Sequence, residues 1–245
     1  MPKPYSFILF DFVNTLFLPD ESAVPRMVVN GESVISTAPL LCERLAPSLP
    51  GVDPLALHRA HREAWRWVES QRGAEDREIP ALRRFRHIFL LLGLDPVDDA
   101  VVERALELHM EAVTGSFRLP AAHRELLAGL QARYRMGIFS NFDHAPPLRR
   151  LLRAAGIEAW FDPVVISGDI GYRKPGAAAF ALALDRTRTD PRHVLFVGDS
   201  WNDDVTGAQR AGIDVAWVNR KGEPALSEAH PTYVMRDLTE LTRVL

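Results

Sequence analysis

Short apolar runs alternate with helix-like patterns over most of the chain from about residue 120 onward. Helices are predicted where apolar residues recur at helical spacing, at 123–134, 147–155, 175–185 and 208–211. Buried strands are predicted at the short apolar runs 7–10, 136–139, 164–166, 193–197 and 215–218. Strands that alternate with helices in this way are typical of a parallel sheet with both faces covered. The pattern therefore predicts an α/β fold.

The stretch from about 40 to 111 has a different pattern, because helical spacing recurs there without a convincing strand between the segments. Helices are predicted at 55–69, 81–92 and 97–110. The breaks between them fall at Gly73, Pro80 and Gly93. This indicates an all-helical insertion between the first strand and the rest of the sheet. Residues 17–38 are punctuated by Pro and Gly, so we expect a loop or a small hairpin there.

The composition limits the size, the partners and the cellular setting of the protein, but says little about its activity. A chain of 245 residues with 47% hydrophobic residues suits one large domain, or a core with an inserted subdomain. A net charge of −3 argues against nucleic acid or a membrane surface as the main partner. The single cysteine, Cys42, excludes an internal disulfide, and Asp11 interrupts the apolar segment 5–18, which is not a signal peptide. We therefore expect a reduced, cytoplasmic setting.

Carboxylates follow two of the predicted strands. Asp11 comes directly after the run at 7–10, and Asp199 ends the run that begins at Val194. Asp203 and Asp204 follow closely. Several carboxylates at one end of a sheet indicate a divalent cation, because hard cations prefer oxygen ligands.

Four short motifs in this order resemble those of the haloacid dehalogenase (HAD) superfamily: Asp11-Phe12-Val13-Asn14-Thr15, Ser140-Asn141, Lys174-Pro175 and Gly198-Asp199-Ser200-Trp201-Asn202-Asp203-Asp204. The resemblance covers about residues 5–18 and 117–220. It implies a Rossmann-like parallel sheet core with an inserted all-helical cap subdomain. On this basis we expect residues 1–16 and 117–245 to form the core, and 17–116 to form a hinge or flap region and the cap.

The resemblance also implies roles for individual residues. Asp11 would be the nucleophile that forms a covalent aspartyl intermediate, and Lys174 would offset the repulsion between this carboxylate and a phosphate dianion. Ser140, Asn141 and Thr15 would bind the substrate or hold the loop around it. Mg²⁺ would be the cofactor. Its expected ligands are Asp11, the main-chain carbonyl of Val13, Asp199 and either Asp203 or Asp204, with Asp204 preferred.

Val13 departs from the family pattern. Phosphatases of the family usually carry a second aspartate at this position as general acid and base, and valine cannot transfer a proton. One interpretation is a phosphohydrolase acting where the leaving group needs no proton, with weak activity on simple phosphomonoesters unless a cap residue or the substrate supplies one. A second is a 2-haloacid dehalogenase, although the acidic residues would then have no evident task. A third is a catalytically weak member that binds a phosphorylated ligand or a partner.

The expected partner is a small phosphorylated molecule, with no nucleic acid and no membrane, and the protein is expected to be a monomer or a homodimer. The predicted cap is rich in basic and aromatic residues: His58, His61, Arg62, Trp65, Arg66, Trp67, Arg83, Arg84, Arg86 and His87. These residues suit either an anion-binding lid or an amphipathic helix with a solvated basic face.

Overall fold

The computed structural model describes residues 5–226 and 228–245, so residues 1–4 and 227 of the predicted core fall outside it. The described chain divides into two compact units. The core unit consists of the described part of Met1–Leu18 together with Ala74–Glu78 and Arg118–Leu245. The helical unit consists of Pro19–Gly73 and Ile79–Phe117. The chain therefore passes between the units four times, and the short strip Ala74–Glu78 belongs to the core unit.

A parallel sheet forms the centre of the core unit, and its described strands follow the order β10-β9-β8-β1-β6-β7. The strands are β1 (Phe7–Phe10), β6 (Arg135–Ser140), β7 (Val164–Ile166), β8 (Val194–Gly198), β9 (Asp214–Val218) and β10 (Tyr233–Met235). In the register of the central strands, Phe10 of β1 lies opposite both Ile138 of β6 and Val197 of β8. Strand β10 was not predicted from the sequence, because its short run of three residues is partly exposed.

The flanking helices of the core unit are α5 (Ala121–Leu130), α6 (Ala145–Ala154), α7 (Ser167–Ile170), α8 (Ala177–Thr187) and α9 (Gly207–Arg210). A π-helical turn, Trp201–Thr206, precedes α9. Strands β1 and β8 are apolar along their whole length and every residue of both is buried, as expected for strands covered on both faces. The prediction of an α/β, Rossmann-like parallel sheet is confirmed.

Aromatic rings fill much of the space between the sheet and α8. Phe139, Phe180 and Phe196 are almost fully buried, and their ring centroids lie 5.1–6.2 Å apart. They meet edge to face or tilted, which are the favoured geometries for aromatic pairs. This packing supports β6 and β8 from below, close to the point where both strands end.

The helical unit contains α1 (Ala38–Arg44), α2 (Pro54–Gln71), α3 (Ala81–Leu91) and α4 (Asp99–Thr114). Asp53 begins α2 by accepting hydrogen bonds from the N–H groups of Leu55 and Ala56, and Pro54 occupies the first helical position, where its missing N–H is harmless. The helices predicted inside the insertion are therefore present. None of the described helices is both long and apolar enough to cross a membrane.

The segment 17–38 contains the hairpin that its Pro and Gly residues allowed. Strands β3 (Arg26–Val29) and β4 (Glu32–Ile35) pair antiparallel around Asn30 and Gly31, which have φ angles of +53° and +86°. An Asn-Gly pair with both residues at positive φ is the preferred two-residue hairpin turn. Two further short strands, β2 (Leu18–Pro19) and β5 (Phe117–Arg118), lie where the chain passes from one unit to the other.

Replacing Phe196 by alanine is expected to destabilise the core unit by about 3–5 kcal/mol, since the buried ring leaves a cavity among its aromatic neighbours. Urea unfolding of Phe196→Ala measures this loss. Leu182→Ala on α8 is the matched control, because this side chain is 37% exposed and its loss should stay within about 1 kcal/mol. Equal losses in the two variants would contradict the packing described.

Candidate active site

Three neighbouring strands end in the polar residues of the site. β1 ends directly before Asp11, whose main-chain N–H donates a hydrogen bond to the carbonyl of Val197 at 2.8 Å. β6 ends at Ser140, and β8 ends at Gly198, which Asp199 follows. Because β8, β1 and β6 are parallel neighbours, their carboxyl ends meet at one edge of the sheet. This is the edge at which open α/β sheets bind ligands.

The ammonium group of Lys174 is buried at the centre of this edge, with 1% of the side chain exposed. It donates hydrogen bonds to Asp11 Oδ1 at 2.8 Å, to Asp204 Oδ1 at 2.7 Å and to the carbonyl oxygen of Phe139 at 2.9 Å. Its three N–H donors are thereby matched by three acceptors. Burial alone lowers the pKa of Lys174, but the carboxylates of Asp11 and Asp204 outweigh burial and raise it. Lys174 is therefore a fixed positive charge at neutral pH.

Three acids surround this single cation. One carboxylate oxygen of each of Asp11, Asp199 and Asp204, which we call the acidic cluster, lies within 4.8 Å of the others. Burial, then the nearby Asp11 and Asp204 carboxylates, raise the pKa of Asp199 to about 8. Burial likewise raises the pKa of Asp204 to about 6, against the opposing effect of Lys174. The cluster carries more negative charge than one ammonium balances, and its oxygen donors fit a divalent cation such as Mg²⁺.

Asp204 reaches the acidic cluster because Gly198 has no side chain. A Cβ atom at residue 198 would overlap the carboxyl group of Asp204. The main-chain N–H of Ser200 also donates to Asp204 Oδ2 at 2.9 Å. The π-helical turn Trp201–Thr206 carries Asp204 at this inward position.

Asp203 points to a different set of partners. Its Oδ2 accepts a hydrogen bond from the side-chain amide of Asn141 at 3.1 Å and lies 3.7 Å from the guanidinium of Arg173. The sequence left open whether Asp203 or Asp204 joins Asp11 and Asp199. The geometry favours Asp204, and Asp203 instead helps to position Asn141.

Ser140 and Asn141, predicted together, differ in what their side chains do. The Oγ of Ser140 is buried, lines the cavity at this edge and has no hydrogen-bond partner among the described residues. A buried hydroxyl without a partner is unfavourable, so this group is suited to a ligand. The amide of Asn141 is engaged by the main chain of Lys174, with Nδ2 donating to the carbonyl at 2.9 Å and Oδ1 accepting from the N–H at 2.8 Å.

Thr15 and Val13 belong to the loop that follows β1. Thr15 is fully buried, and its Oγ1 donates to Asp199 Oδ1 at 3.4 Å, which links this loop to the acidic cluster. Val13 lines the cavity and contributes no ionisable side chain there. Trp217 supports Asp199 from the other side, since its indole N–H donates to the carbonyl of Asp199 at 2.8 Å.

Arg220 is a residue of this site that sequence reasoning missed. Its guanidinium donates to the carbonyl of Asn14 and lies 3.8 Å from Asp237 Oδ2. The neighbouring His123 ring contacts the same loop through Nδ1, 2.9 Å from the carbonyl of Leu16. Arg220 thus pins the loop after Asp11. Its place directly beyond β9, at the same carboxyl edge, is the signal that predicts it.

A second missed contact involves Glu78, from the strip Ala74–Glu78. Its buried carboxylate accepts a hydrogen bond from Ser167 Oγ at 2.6 Å and lies 3.7 Å from Nε of Arg173. The main chain of the strip reinforces this contact, because Glu78 N–H donates to the carbonyl of Gly171 at 3.0 Å. Glu78 therefore supports the segment that leads to Lys174. No local pattern in the sequence marks it.

Only some of the basic residues of the helical unit lie on its surface. Arg84 is 1% exposed, and its guanidinium lies 4.3 Å from the ring centroid of Trp65. Burial lowers the pKa of His61 to about 3, so this histidine is neutral. Arg84 is thus buried within the helical unit and His61 is half-buried there, which corrects the expectation of either an anion-binding lid or a solvated face for them. Arg62 and Arg66 do line a groove on its surface.

The cavity at the sheet edge has a volume of about 450 Å³ and is lined entirely by the core unit. Its walls combine a carboxylate beside a fixed ammonium, an acidic cluster and a buried hydroxyl without a partner, from Asp11, Lys174 and Ser140 among others. A carboxylate held in this way can attack an electrophile, and the ammonium can stabilise negative charge on the group attacked.

Comparison with protein families gives one model that spans most of the chain. A model described as haloacid dehalogenase-like hydrolase matches residues 5–212. Over 184 residues the chain is 29% identical to the putative HAD-hydrolase YfnB of Bacillus subtilis, which covers 73% of this chain and 74% of that protein. Over 186 residues it is 30% identical to the pyrimidine 5'-nucleotidase YjjG of Escherichia coli, with 73% and 77% covered.

Solved structures with the same architecture cover nearly the whole chain. The 2-haloacid dehalogenase from Pseudomonas syringae pv. tomato superposes with a TM-score of 0.72 at 21% identity, over 98% of this chain and 97% of that one. YfnB from Bacillus subtilis bound to magnesium superposes with a TM-score of 0.67 at 24% identity, over 99% of each chain. At these identities the likeness concerns the fold.

Replacing Gly198 by alanine is expected to lower the free energy of unfolding by about 1–3 kcal/mol, because the new methyl group displaces the Asp204 carboxylate. Urea unfolding measures the change. Gly129→Ala on α5 is the matched control: outside the backbone of its own helix no described atom lies within 4 Å of a Cβ there, and this substitution should stabilise by about 0.5–1 kcal/mol. Similar behaviour of the two variants would show that Asp204 does not lie against residue 198.

Proposed function

The chain belongs to the haloacid dehalogenase-like hydrolases, and within this family we propose that it is a Mg²⁺-dependent phosphohydrolase that works through an aspartyl-phosphate. The observation that carries this proposal is the acidic cluster, in which Asp11 and Asp204 both pair with the single ammonium of Lys174 and the half-buried Asp199 lies beside them. Such a surplus of negative charge suits a site that binds both a divalent cation and a phosphate dianion.

Asp11 is the proposed nucleophile. Its carboxylate is 7% exposed, lines the cavity and is held by Lys174 at 2.8 Å, so it approaches a bound phosphate from a fixed position. Attack by Asp11 on phosphorus forms the aspartyl-phosphate, and water then hydrolyses this intermediate. Lys174 keeps its charge throughout and offsets the repulsion between the carboxylate and the phosphoryl oxygens.

The phosphoryl group would be bound by neutral donors as well as by charge. Ser140 Oγ, which has no partner among the described residues, supplies a hydroxyl donor at the floor of the cavity. Asn141 holds Lys174 through two hydrogen bonds, and Thr15 holds Asp199, so these two residues position the charged groups. Neutral donors add binding without adding to the charge that the site must balance.

Asp11, Asp199, Asp204 and the main-chain carbonyl of Val13 would hold Mg²⁺. The three carboxylates have the ligand chemistry that this ion prefers, and burial together with their mutual repulsion raises the pKa of Asp199. When bound, the ion supplies positive charge that makes the approach of two anions tolerable.

The substrate would be a small phosphorylated metabolite. The Escherichia coli relative is named for hydrolysis of pyrimidine nucleotides, which are phosphorylated small molecules. Dehalogenation is the competing chemistry, since a halide leaves without a proton and needs no acid at Val13. An uncharged carbon centre, however, gives the acidic cluster no task, and this favours phosphate.

Mg²⁺ is expected to raise the unfolding temperature, and more so at pH 8 than at pH 5.5. The pKa of Asp199 is raised from 3.8 to about 8, so the folded protein holds this proton more tightly than the unfolded chain. The metal-free protein should therefore lose stability as pH rises from about 4 to 8, while proton competition with the cation fades. At a concentration about 100 times Kd, the ion should stabilise by about 2.7 kcal/mol.

Differential scanning fluorimetry of the wild type and Asp199→Asn, with and without Mg²⁺, checks this dependence. The variant should show little response to the ion at either pH, since one carboxylate of the cluster is gone. A wild-type shift of equal size at both pH values would contradict the assignment of Asp199 as a ligand.

Wild-type protein is expected to hydrolyse acetyl phosphate in the presence of Mg²⁺, because its leaving group needs no proton. Asp11→Asn should abolish turnover, since the amide oxygen cannot form the aspartyl-phosphate. Release of inorganic phosphate measures the rate, and thermal unfolding confirms that the variant is folded.

The same preparations incubated with an L-2-haloacid separate the two chemistries. Halide release without metal, together with no phosphate release from acetyl phosphate, would replace the proposal with dehalogenation. Absence of both activities in the wild type would instead favour a protein that binds a phosphorylated ligand or an enzyme selective for another substrate, which a ligand screen by thermal shift would separate.

A further inference from the structure

The cavity around Asp11 is lined by more acids than the proposed chemistry has used. Among the described residues the carboxylates that line it are Asp11, Asp199, Asp203, Asp204 and Glu223. Glu223 comes from the loop that follows β9, outside the four motifs. Val13, at the position that carries an acid in related phosphatases, lines the same cavity. The site therefore lacks a general acid at Val13, and it contains one acid, Glu223, that has no assigned role.

The other acids are already engaged. Asp11 and Asp204 pair with Lys174, Asp199 accepts a hydrogen bond from Thr15 at 3.4 Å, and Asp203 accepts one from Asn141 at 3.1 Å. The carboxylate of Glu223 has no hydrogen bond or ion pair with any residue that the structure describes. It is thus available to a substrate, whereas the other carboxylates are engaged by Lys174, by Thr15 or by Asn141.

The loop that carries Glu223 is held in place by specific contacts. The buried side chain of Asn219 accepts from the N–H of Glu223 at 2.8 Å and donates to its carbonyl at 2.9 Å. Gly222, with a φ of +69°, allows the tight turn between them. Arg220 of the same loop donates to the carbonyl of Asn14, so the loop is tied directly to the segment that contains Val13.

The position of Glu223 suits the leaving group of a phosphoryl transfer. The attacking and leaving oxygens lie roughly in line across phosphorus. Asp11 attacks from the buried floor of the cavity, which directs the leaving oxygen away from the floor. Glu223 is exposed and lines the same cavity, whereas Asp11 is buried, so Glu223 belongs to the more exposed wall of this cavity.

We propose that Glu223 is the general acid and base of this site, in place of the acid that Val13 cannot provide. The proposal rests on the proposed phosphohydrolase function and extends it to phosphomonoesters. The substrates then include phosphomonoesters, whose alcohol leaving group requires a proton. They also include acyl phosphates, whose leaving group does not.

The two half-reactions balance through this one carboxyl group. As Asp11 Oδ bonds to phosphorus, the phosphorus–oxygen ester bond breaks, its electron pair goes to the leaving oxygen, and the Glu223 proton converts that oxygen into the alcohol. Ionised Glu223 then takes a proton from the water that attacks the aspartyl-phosphate. The bond between phosphorus and Asp11 breaks, its electron pair returns to the Asp11 carboxylate, and phosphate is released with Glu223 protonated again.

Leaving-group dependence in Glu223→Gln tests this assignment. With Mg²⁺ present, kcat/KM for glycerol 2-phosphate should fall about 10²- to 10⁴-fold, the range typical of lost acid–base catalysis. The value for p-nitrophenyl phosphate should fall less, because its phenolate leaves more easily. The value for acetyl phosphate should change least. Any remaining loss of turnover with this substrate should arise in the hydrolysis of the aspartyl-phosphate.

Glu228→Gln is the matched control, because Glu228 lies on the same exposed stretch of chain but does not line the cavity. It should retain wild-type rates on all three substrates. Thermal unfolding of both glutamine variants should match the wild type, since neither glutamate is buried.

A rescue variant makes the test sharper. Val13→Asp combined with Glu223→Gln restores an acid at the position that related phosphatases use. Its kcat/KM for glycerol 2-phosphate should be at least ten-fold higher than that of Glu223→Gln alone. A double variant as slow as Glu223→Gln would count against the proposal, because the loss would then not arise from a missing proton donor.

The outcomes separate this inference from the function on which it rests. Equal losses on all three substrates, or none, in Glu223→Gln would overturn the role of Glu223 while turnover that depends on Asp11 leaves the phosphohydrolase standing. No phosphate release from any substrate by the wild-type protein would overturn both.

Discussion

The buried ammonium group of Lys174 is the interaction on which the rest of the site depends. Its three acceptors come from Asp11 after β1, from Phe139 within β6 and from Asp204 after β8, so one cation joins three segments that are distant in sequence. Breaking a buried ion pair by removing one partner typically loses about 3–5 kcal/mol, because the remaining charge is left without compensation. The packing of these three segments and the charge balance of the site therefore depend on the same residue.

Around this centre, the floor and the rim of the cavity are built by different means. Strand ends fix the floor, where the positions of Asp11 and Ser140 follow from the register of the buried central strands. Loops fix the rim, where Arg220 ties the segment after β9 to the segment after β1. A rigid floor suits covalent chemistry, which needs the nucleophile within a narrow range of positions. A rim made of loops is the part that can differ among relatives while the floor stays the same.

Much of this fold can be predicted from the sequence, because buried strands and amphipathic helices leave periodic patterns and the acids that follow β1 and β8 mark the site. The choice between Asp203 and Asp204 cannot be predicted this way, since it depends on how one turn winds and on the space beside Gly198. Glu78 and Glu223 are missed for another reason. Each lies on a segment that contacts residues distant in sequence, and no local periodicity encodes such contacts.

The strip Ala74–Glu78 means that the helical insertion is not a detachable module. A shortened chain that joined Leu18 directly to Arg118 would remove Glu78 as well, and Ser167 and Arg173 would lose the buried carboxylate beside them. An exchange of insertions between relatives meets the same obstacle unless the donor segment brings an equivalent acid. Any redesign of the inserted region is thus constrained by the core, because five residues of this stretch of chain belong to the core unit.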